Sequence, residues 1–426
     1  MKTTKFKMTE IGPIPEDWDV KQFSECFTLI RNNTYARESL TDSIGSVANI
    51  HYGDVLIKYG AVLNFMRDSV PYLKSGVMPN RDMLKNGDLV FADTAEDEAV
   101  GKAVEVQGVQ SRMVVAGLHT VACRPREGMF APRYLGYYIN SPAYHNQLLS
   151  LITGTKVSSV SRAGFLSTYV VRPPLHEQKA IAEALSDVDE LLAAMTTLIE
   201  KKRAIKQGAM QELLTGKKRL PGFGGKWIEK RLGDCALIKA RIGWQGLTTD
   251  EYLENGPYYL ITGSDFRDGK VNWSQCYYVD KSRYEQDKNI QIQKNDVLVS
   301  KDGTIGKVAF LDEIPGEGTL NSGVFVIRTR DKEIEQLYMA WVFLSKWFDD
   351  FINRLVAGST IVHLYQKDIV GFEFPVPPTI AEQKAIADVL SDMDAEITAL
   401  ETKKTKYESI KQSMMQELLT GKTRLV

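Results

Sequence analysis

Residues 177–187 read EQKAIAEALSD, and residues 382–392 read EQKAIADVLSD. The match resumes downstream as MQELLTGKKRL at 210–220 and MQELLTGKTRL at 415–425, where ten of eleven letters agree at the same offset of 205. Between these anchors Ile181, Leu185, Val188, Leu192, Met195 and Ile199 step by four and three, as do Ile386, Leu390, Met393, Ile397 and Leu400. That spacing is a coiled-coil seam rather than the broad apolar stripe of a globular helix. Each segment follows a Pro-Pro pair (Pro173-Pro174, Pro377-Pro378) and stops at Thr-Gly (Thr215-Gly216, Thr420-Gly421). Proline commonly precedes a helix, and glycine suits its left-handed C-terminal cap. Two helices of about forty residues are predicted, each roughly 60 Å long.

Outside these segments the two halves still align, more weakly. GKAV (101–104) falls opposite GKVA (306–309), KNGDLVF (85–91) resembles KNDVLVS (294–300), and WDVKQFSEC (18–26) lines up with WIEKRLGDC (227–235) at an offset of 209. The order is variable, near-identical, variable, near-identical. The boundaries expected are 1–173 and 221–377 for the variable domains, with helical spacers at 174–220 and 378–426. Short β-type runs such as DLVFA, HTVACRP, VLVS and GVFVIRT, broken by glycine turns, make each variable domain α+β. One amphipathic helix is expected late in each, near 132–152 and 335–356.

Charge predicts how the helices pair. Residues 177–200 hold six acids and one lysine, and residues 201–220 hold seven basic residues and one acid. The second segment repeats this, with six acids and one lysine over 382–401, then six basic residues and two acids over 402–425. Antiparallel helices bring each acidic half against a basic half, whereas parallel ones oppose like charges. Solvated faces that merely suit each helix's own dipole are the plainer alternative. An antiparallel pair makes the fold pseudo-two-fold and nearly circular: the terminal RLV stops where the central copy runs on into PGFGGKW, and GPIPEDW near the start supplies that continuation.

The chain's 426 residues carry a net charge of -1, 43% apolar and 25% charged residues, ordinary values for a soluble globular protein. No apolar run spans a membrane, and the lysine-bearing start MKTTKFKMTEIGPIPEDWD lacks the apolar stretch of a signal peptide. Cys26, Cys123, Cys235 and Cys276 form no CxxC pair and fit reduced thiols in the cytoplasm. Catalytic motifs are missing. Gly421-Lys422-Thr423 ends like a phosphate loop, but Gln416 stands where its first glycine is required. PGFGG (221–225) follows a helix instead of a strand and reads as a turn. The five histidines (His51, His119, His145, His176, His363) are scattered and form no HExxH.

The two motifs PPLHEQKAIAEALSDVDELL and PPTIAEQKAIADVLSDMDAEI, each opening a long helix after a variable domain, resemble the specificity (S) subunits of type I restriction–modification enzymes. The resemblance covers essentially the whole chain. It implies two target recognition domains, each reading half of a split double-stranded DNA target, and an antiparallel coiled coil that sets their spacing. It also implies docking of two modification (methyltransferase) subunits and recruitment of ATP-dependent restriction subunits. S-adenosylmethionine, ATP and Mg would then belong to those partners, with no cofactor in this chain. The two recognition domains are diverged, so the half-sites are expected to differ.

Differences between the domains are expected to mark base-reading positions. The loop after the late helix reads GTKVSSVSR (154–162) in one copy and GSTIVHLYQK (358–367) in the other. Glycine with a hydroxyl neighbour suits a phosphate, and the short polar, amide and basic groups after it suit base edges. Candidate DNA-binding residues are therefore Lys156, Ser158, Ser159, Ser161 and Arg162 in the first domain, and Thr360, His363, Tyr365, Gln366 and Lys367 in the second. The KDGTIGK turn adds Lys301, Thr304 and Lys307, with Lys102 as the first-domain counterpart, and RIGWQ adds Arg241 and Gln245. Two alternatives remain at this point: a coiled-coil scaffold presenting two protein-binding domains, and a nuclease using Asp19 and Lys21.

Overall fold

The computed structural model describes residues 5–74, 82–154, 156–330, 333–357 and 363–425. It divides into two units, Met1–Thr196 with Thr402–Val426, and Thr197–Glu401. The divisions fall inside two 39-residue helices, Leu175–Leu213 and Ile380–Leu418, so each unit holds half of each helix.

The body of the first unit holds a five-stranded sheet in the order Phe27–Ile30, Thr120–Pro125, Leu89–Ala92, Ala103–Gln107, Val62–Asn64. A second sheet pairs Met113–Ala116 in parallel with Val47–Ile50. The second unit repeats this plan. Ala236–Ala240, Val324–Thr329, Val297–Ser300 and Val308–Phe310 form one sheet, and Tyr258–Ile261 pairs in parallel with Gly318–Leu320 in the other. All four residues of Leu89–Ala92 and of Val297–Ser300 are buried, which explains their unbroken apolar runs.

The strands correct one alignment. Buried Asp88 precedes the first of these strands and forms an ion pair with Arg124 at 2.7 Å, while buried Asp296 precedes the second and pairs with Arg328 at 2.6 Å. Asp88 therefore corresponds to Asp296, and the letter match KNGDLVF/KNDVLVS is out by one residue. The late helix is corrected too, because each unit has two. They are Tyr134–Ile139 with Pro142–Leu149, and Gln336–Phe343 with Lys346–Ala357. Ser141 Oγ donates to the Tyr138 carbonyl at 2.6 Å, and Pro142 has no N–H with which to continue the ladder. At the matching break Ser345 Oγ donates to the Val342 carbonyl (2.6 Å) and accepts from the Trp347 N–H (3.2 Å).

The repeated phrases meet within each unit. Glu177, fully buried at the start of the first long helix, accepts two N–H bonds from Arg424 (2.6 and 2.8 Å) and one from Trp18 Nε1 (2.8 Å). Glu382, fully buried at the start of the second, accepts two from Arg219 (2.5 and 2.6 Å). The neighbouring Gln178 and Gln383 are equally buried. Each accepts a backbone N–H (of Ala131 and of Glu335, both at 2.8 Å) and donates to the carbonyl of Pro173 or Pro377. Glu-Gln is thus retained in both copies because one side chain ties down the opposite helix's end and the other ties down the domain.

Gly216 and Gly421 turn the chain at φ +70°, where a side chain is disfavoured. Past them the Lys218 N–H reaches the Glu212 carbonyl and the Thr423 N–H the Glu417 carbonyl, both at 3.2 Å.

In the second unit Lys202 pairs with Glu396 (2.7 Å), Lys206 with Asp394 (2.5 Å) and Arg203 with Glu401 (2.6 Å); in the first, Lys411 pairs with Asp189 (2.5 Å). Together with the Arg–Glu clamps, these pairs make the helix segments within each unit antiparallel. Ile181 and Leu185 join Met415, Leu418 and Leu419 in one core, while Ile386 and Leu390 join Met210, Leu213 and Leu214 in the other. Met195, Ile199 and Ile397 are buried; Val188, Leu192, Met393 and Leu400 are half-buried.

Candidate nucleic-acid interface

In the first unit, three strand ends bring loops together. Asn32 follows Phe27–Ile30, Asp93 and Thr94 follow Leu89–Ala92, and Gly117 to His119 precede Thr120–Pro125. The segment 156–162 lies across them. Its Ser158 and Ser159 pair with Ala95 and Thr94, and the Val160 N–H donates to the Asp93 carbonyl at 3.0 Å. Ser161 accepts the Gly164 N–H at 3.1 Å, which caps the short helix carrying Arg162. Arg162 Nη2 then donates to Asn32 Oδ1 at 2.7 Å, and Asn32 Nδ2 donates to the Gly117 carbonyl at 3.1 Å. His119, at φ +52°, lies edge-on to Tyr52 at 5.2 Å with Nδ1 3.5 Å from Thr94 Oγ1. Lys156 is exposed.

The second unit builds the matching place from different residues. The Leu364 N–H donates to the Lys301 carbonyl at 2.8 Å, and His363 Nδ1 lies 2.5 Å from Asp302 Oδ1. Exposed Tyr365 carries Lys367 Nζ 5.5 Å from its ring centre, and Gln366 Nε2 donates to the Ile238 carbonyl at 3.3 Å. Thr360 lies outside the described residues. In the KDGTIGK turn Thr304 is exposed and Lys307 half-buried, while Lys301 Nζ lies 5.5 Å from the Phe325 ring centre.

Several expected contacts are corrected. Arg241 is only 2% exposed and donates to the Leu320 carbonyl (2.9 Å), Gln286 (2.9 Å) and Thr319 (3.1 Å). It serves as an internal brace. Gln245 is also buried, and the exposed side chains of RIGWQ are Ile242 and Trp244, 50% and 78% accessible. Lys102 is half-buried, its Nζ donating to the Leu56 carbonyl at 2.8 Å, and burial lowers its pKa. Lys102, Arg241 and Gln245 therefore present no free surface group for a duplex.

Comparison with known proteins now bears on these surfaces. The family model for the type I restriction modification DNA specificity domain matches residues 225–412. A Methanocaldococcus jannaschii protein carrying the name of the MjaX type I restriction enzyme specificity subunit is 26% identical over 100% of this chain and 98% of its own. The MjaVIII specificity subunit of the same organism is also 26% identical, over 100% of this chain and 97% of its own. Over its whole length the chain is thus similar to type I restriction–modification specificity subunits. In fold it resembles the crystal structure of the S subunit from M. genitalium, with a TM-score of 0.60 over 98% of both chains at 15% identity.

The specificity subunits it resembles are non-catalytic. Asn32, Thr94 and His119 are not among the candidates the sequence suggests, although one signal pointed to Asn32. The 209-residue offset sets Asn32 opposite Arg241, so choosing the arginine as a candidate could have drawn in its counterpart. His119 and Thr94 carried no such signal, because only the sheet brings Thr94 beside Ser159 and His119 beside Thr94. No helix among the described residues is long and apolar enough to cross a membrane, and no group of His, Cys, Asp and Glu side chains among them could hold a metal ion.

Proposed function

We propose that this chain is a specificity subunit that reads a bipartite, asymmetric double-stranded DNA target with one recognition domain (1–173 and 221–377) per half-site. On this reading the spacers 174–220 and 378–426 form one antiparallel coiled coil that makes the chain pseudo-two-fold and nearly circular. The coil sets the distance between half-sites and docks two modification subunits. Those subunits hold S-adenosylmethionine and methylate the DNA in the cytoplasm; in a full complex, restriction subunits bring ATP and Mg chemistry. One observation carries the reading. The Arg–Glu clamps and Glu-Gln anchors are the same in both units, while the loop clusters differ residue by residue. A shared frame with divergent tips suits two different sequences read at a fixed separation.

The test is methylation mapping with the subunit co-expressed with its modification partner. Arg162→Ala should relax recognition of one half-site only, and Gln366→Ala that of the other; equal loss at both from either change would overturn the division of labour. Inserting seven residues after both Thr196 and Glu401 keeps the seam in phase and adds ~10 Å of helix. The preferred gap should lengthen by about three base pairs at ~3.4 Å each. An unchanged gap would remove the spacing role.

A further inference from the structure

We infer that Asn32 is a positioning residue that aims Arg162 at a guanine in the half-site read by the first domain, an inference that rests on the DNA-reading function proposed above. Arginine has only donors and a peptide carbonyl only acceptors, so Asn32 is held in one orientation, with Oδ1 toward Arg162 and Nδ2 toward the Gly117 carbonyl. The guanidinium is thereby fixed at 2.7 Å through one of its five N–H groups. Its backbone is fixed as well, by the Ser161 cap and by the Val160–Asp93 bond. Arg31, Arg37, Arg124 and Arg172 of the same unit each face a carboxylate. Arg162 instead has a neutral amide partner, and no carboxylate within ion-pair distance of it occurs among the described residues. It keeps its charge and four donors at the surface, the equipment for the bidentate contact with guanine O6 and N7. An exposed bond of this kind adds little to stability, so its effect is orientation. In the second unit the residue at the equivalent strand end is Arg241, which is turned inward.

The experiment uses the complex with the modification subunit. It measures methylation rates on duplexes carrying every single base-pair change in each half-site. Arg162→Ala should lower discrimination about 10- to 100-fold at one G·C pair of one half-site. Asn32→Ala should lower it several-fold at that same pair, and Asn32→Asp should not restore it, because a carboxylate cannot donate to the Gly117 carbonyl and would pair with the Arg162 charge. The other half-site serves as the internal control for folding. A parent complex with no sequence preference would overturn the DNA-reading function together with this inference. A parent with a bipartite target that responds to Arg162→Ala but not to Asn32→Ala would overturn this inference alone. So would loss spread evenly over all positions, or the absence of guanine from the affected half-site.

Discussion

Replacing Arg424 with alanine strikes the clamp at the end of the repeated phrase. Glu177 would stay in place with its side chain wholly shielded, and two of its three donors, both from Arg424, would disappear, leaving Trp18 Nε1 alone. Removing one partner of a buried ion pair costs ~3–5 kcal/mol, because a carboxylate is left desolvated without compensation. The Arg424 bond to Asp17 is a smaller part of this, since Asp17 is more than half exposed. For a unit of this size each kcal/mol moves Tm by roughly 2–4 °C, so the lower bound corresponds to about 6–12 °C. Scanning calorimetry, with hydrogen exchange read on peptides spanning 175–185 and 415–425, should show the first unit's transition falling while the second unit's holds. Adding Glu177→Gln to Arg424→Ala should recover part of the loss by removing the stranded charge. A Tm shift below about 2 °C, or no recovery in the double variant, would refute the argument that a buried carboxylate needs this arginine. Arg219→Ala should act the same way on the second unit and cost more, because Trp227 Nε1 has no partner there and Glu382 would retain no indole donor.

Two further outcomes follow from single residues. Burial pushes the carboxyl of Glu105 up to about 7, despite N–H donors from Arg133, Gly136 and Gln107. Its folded pKa is raised, so its stabilising contribution is complete below pH ~4.5 and is lost as pH rises through about 7. Urea titrations at pH 5 and pH 8 should show the native protein losing up to ~3 kcal/mol more than Glu105→Gln over that interval; equal slopes would show that Glu105 stays ionised throughout. Gly216→Ala should cost ~1–2 kcal/mol for its left-handed backbone. Gly421→Ala should cost more, because its methyl would overlap the Pro15 ring. Equal costs measured by calorimetry would contradict this packing.

Much of the frame was legible in the letters. A seam repeating every three or four residues, a proline pair before it and Thr-Gly after it mark a helix wherever they occur, because those signals act over a few residues. The structure places both helices within those marks, at Leu175–Leu213 and Ile380–Leu418. The helix breaks at Ser141 and Ser345 were harder to see: one has a proline beside it, and the other depends only on how a serine hydroxyl bonds its own backbone. The candidate loops were legible as places of difference, yet not residue by residue. Arg241 and Trp244 sit three positions apart in a polar loop, and composition alone put the arginine outside. The tertiary structure turns the arginine inward, because the Leu320 carbonyl, Gln286 and Thr319 accept its hydrogen bonds there.

By itself, then, the sequence determined the duplication, the two helices with their opposed charge halves, and the family resemblance. Those properties are local or periodic and need no partner to be recognised. Only the tertiary structure decided that Arg424 clamps Glu177 and that Arg219 clamps Glu382. It alone placed Asn32 behind Arg162 and made a surface candidate of His119, which no motif had marked. Such pairings join residues separated by 130 to 247 positions. What selects them is burial, which makes an unpartnered charge costly, and strand order, which brings distant loops to one end of a sheet.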